Sequence, residues 1–372
     1  MRGSGRGSAV ADGAARSLQI AMPLVDGRGA GLGNEMIVWA KAFVAGQMLG
    51  ARVLHPAWGL NKRGYSRYFG TPRSDWLTHR ALRTALPFFR FDDAQRVRHG
   101  GDLEPALRGF AAEHGLPRRG PFVLGLHGMG GGYDQLTPAR DFLRATLLGA
   151  RGTLANLFEL DRRVGSDRLR IGFHVRRGDF GGLGAQESYR GRFNVQIPLD
   201  WYVQLAVNLA RALGNCVSFI AISDATEEEL APLTQAVPCH LTSRQQHRDV
   251  SDLLAMASCD FLVCSISSYS LWAAFLSDAR YGWYAPNLTP HGHLGSIWGH
   301  EAEQQAPGSP TRQALDTVAA DLDPHGARGV AIGEDGAIPD ELIADLERRA
   351  AFKRPATDLL RYGVAPLPDA TA

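Results

Sequence analysis

Apolar runs and glycine-rich breaks alternate at the start of the chain in the order of a parallel βαβ unit. The run SLQIAMPLV from Ser17 predicts a buried strand, and DGRGAGLG after it predicts a tight loop. Residues 34–49 carry apolar positions at helical spacing, and ARVLHP predicts the next strand. Strand, loop, helix and strand in this order favour a parallel sheet that is covered by helices.

The second half of the chain repeats this rhythm and predicts a second α/β domain. Its strands are predicted at LRIGFHV, CVSFIAIS, near His240, DFLVCS and YGWYA, with helices between them at residues 198–213, 227–234, 251–258 and 268–276. We predict a flexible tail at 1–16, an N-terminal Rossmann-like domain at 17–165, a C-terminal Rossmann-like domain at 166–300 and an extension at 301–372. Helical patterns at 311–322 and 339–351 make that extension a predicted helical tail.

Composition excludes several classes of protein. The 372 residues are 45% hydrophobic and 21% charged, the balance of a soluble globular protein. The 40 basic and 38 acidic side chains give a net charge of +2, which disfavours nucleic acid or a polybasic membrane surface as the default interpretation. No apolar run approaches the roughly 20 residues that span a bilayer, and four cysteines without CxxC spacing predict reduced thiols rather than a zinc site. We therefore expect a cytoplasmic protein without an integral membrane segment.

The segment FHVRRGD, residues 173–179, ends the strand that opens the second domain. Side chains alternate along a strand, so His174 and Arg176 are expected on one face and Arg177 on the other. Parallel sheets bind ligands at the carboxyl ends of their strands, and arginines there are costly unless an anion or a carboxylate meets them. Arg176 is therefore a candidate anion ligand. The structural alternative is a salt bridge between Arg177 and Asp179, with His174 as a hydrogen-bonded core imidazole.

A second candidate segment, SDLLAMASCDFLVCSISS, begins at Ser251. Asp252 is expected to open a helix, and Ser267 and Ser268 lie where a strand turns into the next helix, a position at which hydroxyls and free amides bind phosphate. An aspartate can also accept hydrogen bonds from both donors on a guanine edge. Because serine and aspartate are the commonest helix N-caps, capping is the structural alternative.

The glycine loop GRGAGLGNE is a third candidate. Its glycines at 27, 29, 31 and 33 never form GxGxxG, which disfavours a nicotinamide dehydrogenase. Gly31 and Gly33 permit close approach of the backbone to a ligand, and Asn34 is a predicted N-cap whose amide could reach that ligand. A purely structural turn is the alternative.

Three blocks of the chain together resemble the GDP-fucose-dependent fucosyltransferases, the group that contains the bacterial α1,2-, the α1,6- and the protein O-fucosyltransferases. The blocks are GLGNE at the first strand–helix turn, HVRRGD, and SDLLAMASCDFLVCSISS with its eight-residue step from Asp252 to Asp260. The resemblance implies a GT-B fold, in which two Rossmann-like domains face each other, and an inverting transfer of fucose from GDP-fucose.

The same resemblance implies which residues bind the donor. Guanine would contact His174 and Asp252, the diphosphate would contact Arg176, Ser267 and Ser268, and Asn34 would reach the donor from the first domain. The full set of candidate donor-binding residues is Gly31, Gly33, Asn34, His174, Arg176, Arg177, Asp252, Ser267 and Ser268.

The transfer requires positive charge at the leaving diphosphate, and Arg176 with a helix N-terminus could supply it. The only DxD spacing, at residues 321–323, falls in the extension, so we predict no metal ion and no cofactor besides the GDP-sugar donor. Glu187 is the first candidate for the general base and Asp179 the second. The segment after Asp179 departs from the α1,6 pattern, and a solvated loop carboxylate is the alternative for Glu187.

Two other functions stay open on the sequence alone. A transferase for another GDP-sugar, such as GDP-mannose, would use the same nucleotide site. A GDP-binding protein without transfer activity would keep that site and lack a working acceptor face. The acceptor, whether a glycan, a small molecule or a peptide, and the oligomeric state are not specified by these motifs.

Overall fold

The computed structural model divides into two compact α/β units, Met1–Leu143 and Arg144–Ala372. The structure describes residues 18–25, 30–116, 118, 120–130, 133, 135–165, 168–184, 187–189, 195–277, 279–287 and 328–351. Each unit contains one parallel sheet with helices, which confirms the predicted α/β class with two parallel sheets. The tail predicted at 1–16 lies outside the described residues.

The first unit is built on a four-stranded parallel sheet in the order β2, β1, β4, β3. Its strands are β1 (Gln19–Pro23), β2 (Arg52–Val53), β3 (Phe88–Phe91) and β4 (Phe122–Leu126). Its helices are α1 (Leu32–Leu49), α2 (Ser66–Phe69), α3 (Asp75–Ala85), α4 (Asp93–Arg98) and α5 (Leu103–His114). Every residue of β1 and β4 is buried, as expected for central strands of a parallel sheet, which explains their nearly continuous apolar sequences.

The second unit is built on a six-stranded parallel sheet in the order β10, β9, β8, β5, β6, β7. Its strands are β5 (Leu169–Val175), β6 (Val217–Ser223), β7 (Cys239–Leu241), β8 (Phe261–Val263), β9 (Arg280–Tyr284) and β10 (Gly329–Ile332). Helix α6 (Arg140–Leu148) leads into this unit, and the helices that follow are α7 (Thr153–Val164), α8 (Leu199–Leu213), α9 (Ala231–Ala236), α10 (Arg248–Ala257), α11 (Ser268–Leu276) and α12 (Asp340–Ala351).

Strand β5 is central in this sheet, and all seven of its residues are buried. It pairs in parallel with β6 along its whole length, so that Val175 lies opposite Ser223, and it pairs with β8 on its other side. Because parallel strands end at the same edge, the residues that follow β5, β6 and β8 are brought together. This edge carries the second-unit site described below.

The division between the two units differs from the predicted boundary at residues 165 and 166. Helix α7 precedes that boundary in the chain, yet it packs on α10 of the second unit. The side-chain amide of Asn156 on α7 donates to Ser251 Oγ at 2.8 Å and to the Gln246 carbonyl at 2.8 Å. The apolar spacing of α7 predicts a helix but contains no information about the surface that the helix covers.

The C-terminal extension contributes to the second unit in a way that the sequence analysis did not predict. Strand β10 pairs in parallel with β9, and the indole of Trp201 donates to the Gly333 carbonyl at 2.8 Å. A four-residue strand is too short for its alternation to be distinguished from a loop. Helix α12 agrees with the helix predicted at 339–351, whereas the one predicted at 311–322 lies outside the described residues.

Within the described part of the chain, no helix is both long enough and apolar enough to cross a membrane. The same residues contain no group of three or more histidine, cysteine, aspartate or glutamate side chains arranged to hold a metal ion. The DxD at 321–323 lies outside the described residues. All four cysteines have free thiols. Cys259 and Cys264 are buried, whereas Cys239 is half-buried and Cys216 is exposed, so not all four are core residues.

Candidate functional site

His174 is held in the core by two serines. It is the penultimate residue of β5, and its Nδ1 lies 2.6 Å from Ser270 Oγ and 3.0 Å from Ser265 Oγ. The Tyr202 hydroxyl donates to the His174 carbonyl at 3.0 Å. Burial, followed by the nearby charge of Arg176, lowers the pKa of His174 to about 3. The imidazole is therefore neutral at neutral pH, and its Nδ1 is engaged within the fold.

Two carboxylates orient Arg176. Its Nη1 lies 2.5 Å from Asp224 Oδ2, and its Nη2 lies 2.5 Å from Asp179 Oδ1. The guanidinium also lies over the ring of Phe180, 5.3 Å from the ring centre. The Asp224 side chain is 26% exposed and the Asp179 side chain is 64% exposed. Arg176 thus has one partner that the fold largely shields and one that is largely exposed to solvent.

The sequence analysis did not identify Asp224. Its Oδ1 accepts a hydrogen bond from the Arg177 backbone amide at 2.8 Å, so the same carboxylate binds the backbone of one arginine and the side chain of the other. Gly178 makes this approach possible, because a Cβ at that position would lie 2.2 Å from Asp224 Oδ2. The polar pair Ser223 and Asp224, directly after the apolar run CVSFIAI, is the signal that could have revealed it.

Arg177 does not pair with Asp179, which binds Arg176 instead. The Arg177 guanidinium donates from Nη1 to Gln196 Oε1 at 3.0 Å, and Gln196 Nε2 donates to the Phe180 carbonyl at 2.7 Å. The guanidinium groups of the two arginines therefore have different partners. Arg177, through Gln196, stabilises the loop that follows β5, whereas the Arg176 guanidinium contacts the carboxylates of Asp179 and Asp224.

Asp252 lies in the second turn of α10, so the expectation that it opens or caps a helix is wrong. The helix begins at Arg248 after His247, whose φ is 56°. Asp252 is 6% exposed; its Oδ1 has no hydrogen-bond partner among the described residues, and its Oδ2 lies 3.7 Å from Arg248 Nη1. Burial raises the pKa of Asp252 to about 7, although the charge of Arg248 and the nearby hydroxyl of Thr242 oppose this effect. The carboxylate retains the capacity to accept hydrogen bonds.

Ser267 and Ser268 begin α11, as predicted, and both are half-buried. The Ser267 hydroxyl accepts a hydrogen bond from the Tyr269 amide at 3.2 Å, so the capping alternative holds for this residue. The sequence analysis missed the next polar pair, Ser265 and Ser270, which are buried and fix His174. The four serines of CSISSYS lie so close together that the sequence alone does not distinguish the serine that caps the helix from the serines that contact His174.

Hydrogen bonds connect the Asp252 helix to the end of β5. Arg248 Nη1 donates to the Ser223 carbonyl at 2.8 Å, and the Ser223 hydroxyl donates to the Val175 carbonyl at 2.5 Å. The Tyr269 hydroxyl donates to the carbonyl of Asp249, and its ring lies 5.7 Å from the imidazole of His174. The residues predicted at three distant places in the second half of the sequence therefore belong to one connected arrangement.

The two candidate bases differ in their surroundings. Glu187 is exposed, and one carboxylate oxygen accepts a hydrogen bond from the Gly184 amide at 3.0 Å within its own loop. This is the geometry of a loop carboxylate that closes a turn. Asp179 is the more exposed partner of Arg176 and already contacts the guanidinium. Asp179 contacts the Arg176 guanidinium directly, whereas the hydrogen bond from Gly184 to Glu187 lies within the loop of Glu187.

The glycine loop of the first unit begins α1. Gly31 is the residue before the helix, Gly33 and Asn34 lie in its first turn, and the prediction that Asn34 is the N-cap is wrong. The Leu32 amide is bound by the hydroxyl of Tyr65 at 2.7 Å, and Asn34 donates its backbone amide to the Gly31 carbonyl at 3.0 Å. Asn34 is half-buried. The first half of the loop, residues 26–29, lies outside the described residues.

Residues 124–288 match glycosyl transferase family 11. The matched segment contains His174, Arg176, Asp252, Ser267 and Ser268. It also contains Asp224, which no motif had indicated. No curated protein matches the chain.

Solved structures of NodZ fucosyltransferase are among those similar to this chain. NodZ α-1,6-fucosyltransferase co-crystallized with GDP has 13% sequence identity and a TM-score of 0.45, over 72% of this chain and 96% of that chain. The same enzyme soaked with GDP-fucose has 14% identity and a TM-score of 0.43, over 70% and 92% of the two chains. The selenomethionine form of NodZ from Bradyrhizobium has 14% identity and a TM-score of 0.41, with the same coverage of 70% and 92%.

Proposed function

We propose that this chain, a glycosyltransferase of the fucosyltransferase superfamily, transfers fucose from GDP-fucose to a hydroxyl of a glycan or small-molecule acceptor, with inversion and without a metal ion. The observation that carries the proposal is a pair of features at one edge of the second sheet. Arg176 offers an oriented cation with a displaceable partner, and Asp252 offers a buried carboxylate oxygen with no hydrogen-bond partner among the described residues. A guanosine diphosphate has the complementary groups, a diphosphate and a paired donor edge.

Arg176 stabilises the leaving diphosphate in this proposal. As the bond to the sugar breaks, negative charge grows on the β-phosphate, and a cation that is already oriented stabilises it without further rearrangement. Asp224 keeps Nη1 in place, while the diphosphate takes the position of the exposed Asp179 at Nη2. The half-buried start of α11 adds Ser267 and Ser268 to the same anion.

Donor binding then changes the state of Asp179. Once the diphosphate occupies Nη2 of Arg176, the Asp179 carboxylate is released next to the reacting sugar and can accept the proton of the acceptor hydroxyl. An exposed carboxylate is sufficient, because a loose transition state needs little deprotonation of the acceptor hydroxyl until late. The contact with Arg176 favours Asp179 over Glu187 as the base, which reverses the order expected from the sequence.

Asp252 and His174 recognise the base of the nucleotide. The Asp252 carboxylate accepts from both donors of the guanine edge, which would give its buried oxygen the partners that it lacks among the described residues. His174 is neutral and fixed through Nδ1, so its position is set before the ligand arrives. Uracil offers one donor at the corresponding edge, and a UDP-sugar would leave the carboxylate partly unsatisfied.

The test measures both binding and turnover. Isothermal titration with GDP, UDP and ADP should rank GDP first, and incubation with GDP-fucose and an acceptor panel should release GDP with formation of a fucosylated product. GDP-mannose in parallel tests the alternative donor. Binding of GDP without product from any GDP-sugar would leave only the nucleotide-binding function, and equal affinities for GDP and UDP would contradict the assignment of Asp252.

A further inference from the structure

Charge is distributed unevenly along this chain, and one short segment of the first unit carries an excess of cations. The basic segment, residues 57–80, contains one acid, Asp75, and five cations: Lys62, Arg63, Arg67, Arg73 and Arg80. Since the whole chain has 40 basic and 38 acidic residues, the remaining residues carry 35 and 37, a net charge of −2. The overall value of +2 therefore conceals a local charge of +4.

All five cations of the basic segment are exposed, whereas its acid is turned inward. Asp75 Oδ1 accepts a hydrogen bond from the Gly59 amide at 3.1 Å, and Asp75 Oδ2 is buried. The acid is thus used to hold the fold of the segment. The outer surface of residues 57–80 presents positive charge with no exposed carboxylate of its own.

The segment has an ordered aromatic base, which fixes the positions of its cations. Trp58 is fully buried and stacks on Phe69 with ring centres 5.7 Å apart, and it meets the edge of Tyr65 at 5.3 Å. Gly59 lies so close to Arg73 that a Cβ on the glycine would be 1.9 Å from the Arg73 carbonyl oxygen. The turn that carries residues 60–63 and the start of α3 are therefore neighbours on the surface.

Two large apolar side chains lie among these cations. Leu60, at the end of the turn, is 46% exposed, and Leu77, on α3, is 50% exposed. Leu60 directly follows Gly59 in the chain, and Leu77 lies in the first turn of α3, shortly after Arg73. Exposed leucines next to basic side chains are typical of surfaces that bind the headgroup region of an anionic bilayer, because the cations attract the lipid charge and the apolar groups enter the acyl boundary.

We propose that the basic segment docks the protein on a membrane surface that contains anionic phospholipid. The charge of the segment complements such a surface, and Leu60 and Leu77 distinguish it from a site for an acidic polysaccharide, which would have no use for exposed leucines. The binding is peripheral and uses surface side chains of the turn at residues 60–63 and of α3. It does not depend on the reaction proposed above, since the donor-site residues of the second unit take no part in it.

Vesicle co-sedimentation of the full chain tests this proposal. The protein should sediment with vesicles of phosphatidylcholine and phosphatidylglycerol, and much less with phosphatidylcholine alone. The variant Lys62→Gln/Arg73→Gln/Arg80→Gln should bind the anionic vesicles roughly 100-fold more weakly, from the usual contribution of each cation near a charged bilayer. Leu60→Ser/Leu77→Ser should weaken binding while leaving its salt dependence in place.

A matched control separates the basic segment from overall charge. Arg162, Arg211 and Arg348 are exposed on helices of the second unit, and changing all three to Gln removes the same charge. That variant should bind vesicles like the parent protein. Equal losses in the two triple variants would overturn the proposal, as would binding to heparin without binding to anionic vesicles. Thermal unfolding of each variant excludes a folding defect, and the affinity for GDP should be the same in all of them.

Discussion

Replacing Asp252 by asparagine should stabilise the protein relative to the parent, and more so at high pH than at low pH. Asp252 is buried, and its pKa is raised from an ordinary value of 3.8 to about 7. Between these values the unfolded chain is ionised and the folded chain is protonated, so folded stability falls as pH rises from about 4 to about 7. At about 1.4 kcal/mol per pH unit, the buried charge costs on the order of 4 kcal/mol above pH 7. The side-chain amide of the variant carries no charge and avoids this cost.

Urea unfolding of the parent and Asp252→Asn at several pH values between about 5 and 8 measures this effect. The difference in free energy of unfolding should grow by roughly 3 kcal/mol in favour of the variant over that range. Asp249→Asn on the same helix removes a neighbouring negative charge that is the last of the causes raising the pKa of Asp252, so it should reduce the fall in stability with pH only slightly, whereas Asp252→Asn should abolish it. Parallel profiles for the parent and Asp252→Asn would refute the assignment of a raised pKa to the buried carboxylate.

In the proposed function, the same carboxylate should couple nucleotide binding to pH. Guanine donors favour the ionised form of Asp252, so GDP binding at about pH 6 should release nearly one proton from this group, and affinity should fall about tenfold for each pH unit below 7. Titration calorimetry in two buffers with different ionisation enthalpies measures the proton release. The terminal phosphate of GDP titrates near pH 6 as well, so the quantity that decides is the difference between the parent and Asp252→Asn. No difference would contradict the guanine contact.

Further predictions concern the arginine, its partners and the metal. Arg176→Ala should lower kcat/KM roughly 100-fold, the usual effect of removing one oriented donor to a transition state, while the exposed control Arg211→Ala retains activity; turnover near that of the parent would exclude Arg176 from the reaction. Asp224→Asn should lower kcat and weaken GDP binding, because it releases the Arg176 guanidinium. Asp179→Asn should lower kcat but leave the affinity for GDP equal to or higher than that of the parent. Identical effects of the two changes on GDP affinity would refute their different roles. Transfer should persist in excess EDTA, and a loss that Mg²⁺ or Mn²⁺ restores would show that a metal takes part.

Several strands and the arginine pair at the end of β5 could be predicted from the amino-acid sequence alone. The continuous apolar runs at β1 and β5 predicted strands, and every residue of both strands is buried. The charged residues of HVRRGD interrupt such a run, which is why Arg176 could be recognised as a candidate before any partner was known. Local spacing was also sufficient to predict α11 with Ser267 and Ser268 at its beginning.

Which residues meet at the candidate site depends on the packing of segments that are distant in the sequence. Asp224 lies 47 residues from Arg177 in the sequence, and their contact follows from the adjacency of β5 and β6, which no local pattern encodes. The burial of Asp252 likewise results from the elements that pack around α10. The sequence pattern around Asp252 suggested a helix cap, whereas burial in the folded protein raises the pKa of its carboxyl group. The periodicity of apolar residues predicts the local conformation of the chain. Desolvation and charge pairing depend on groups that are distant along the chain, and these two effects set the properties of the candidate site.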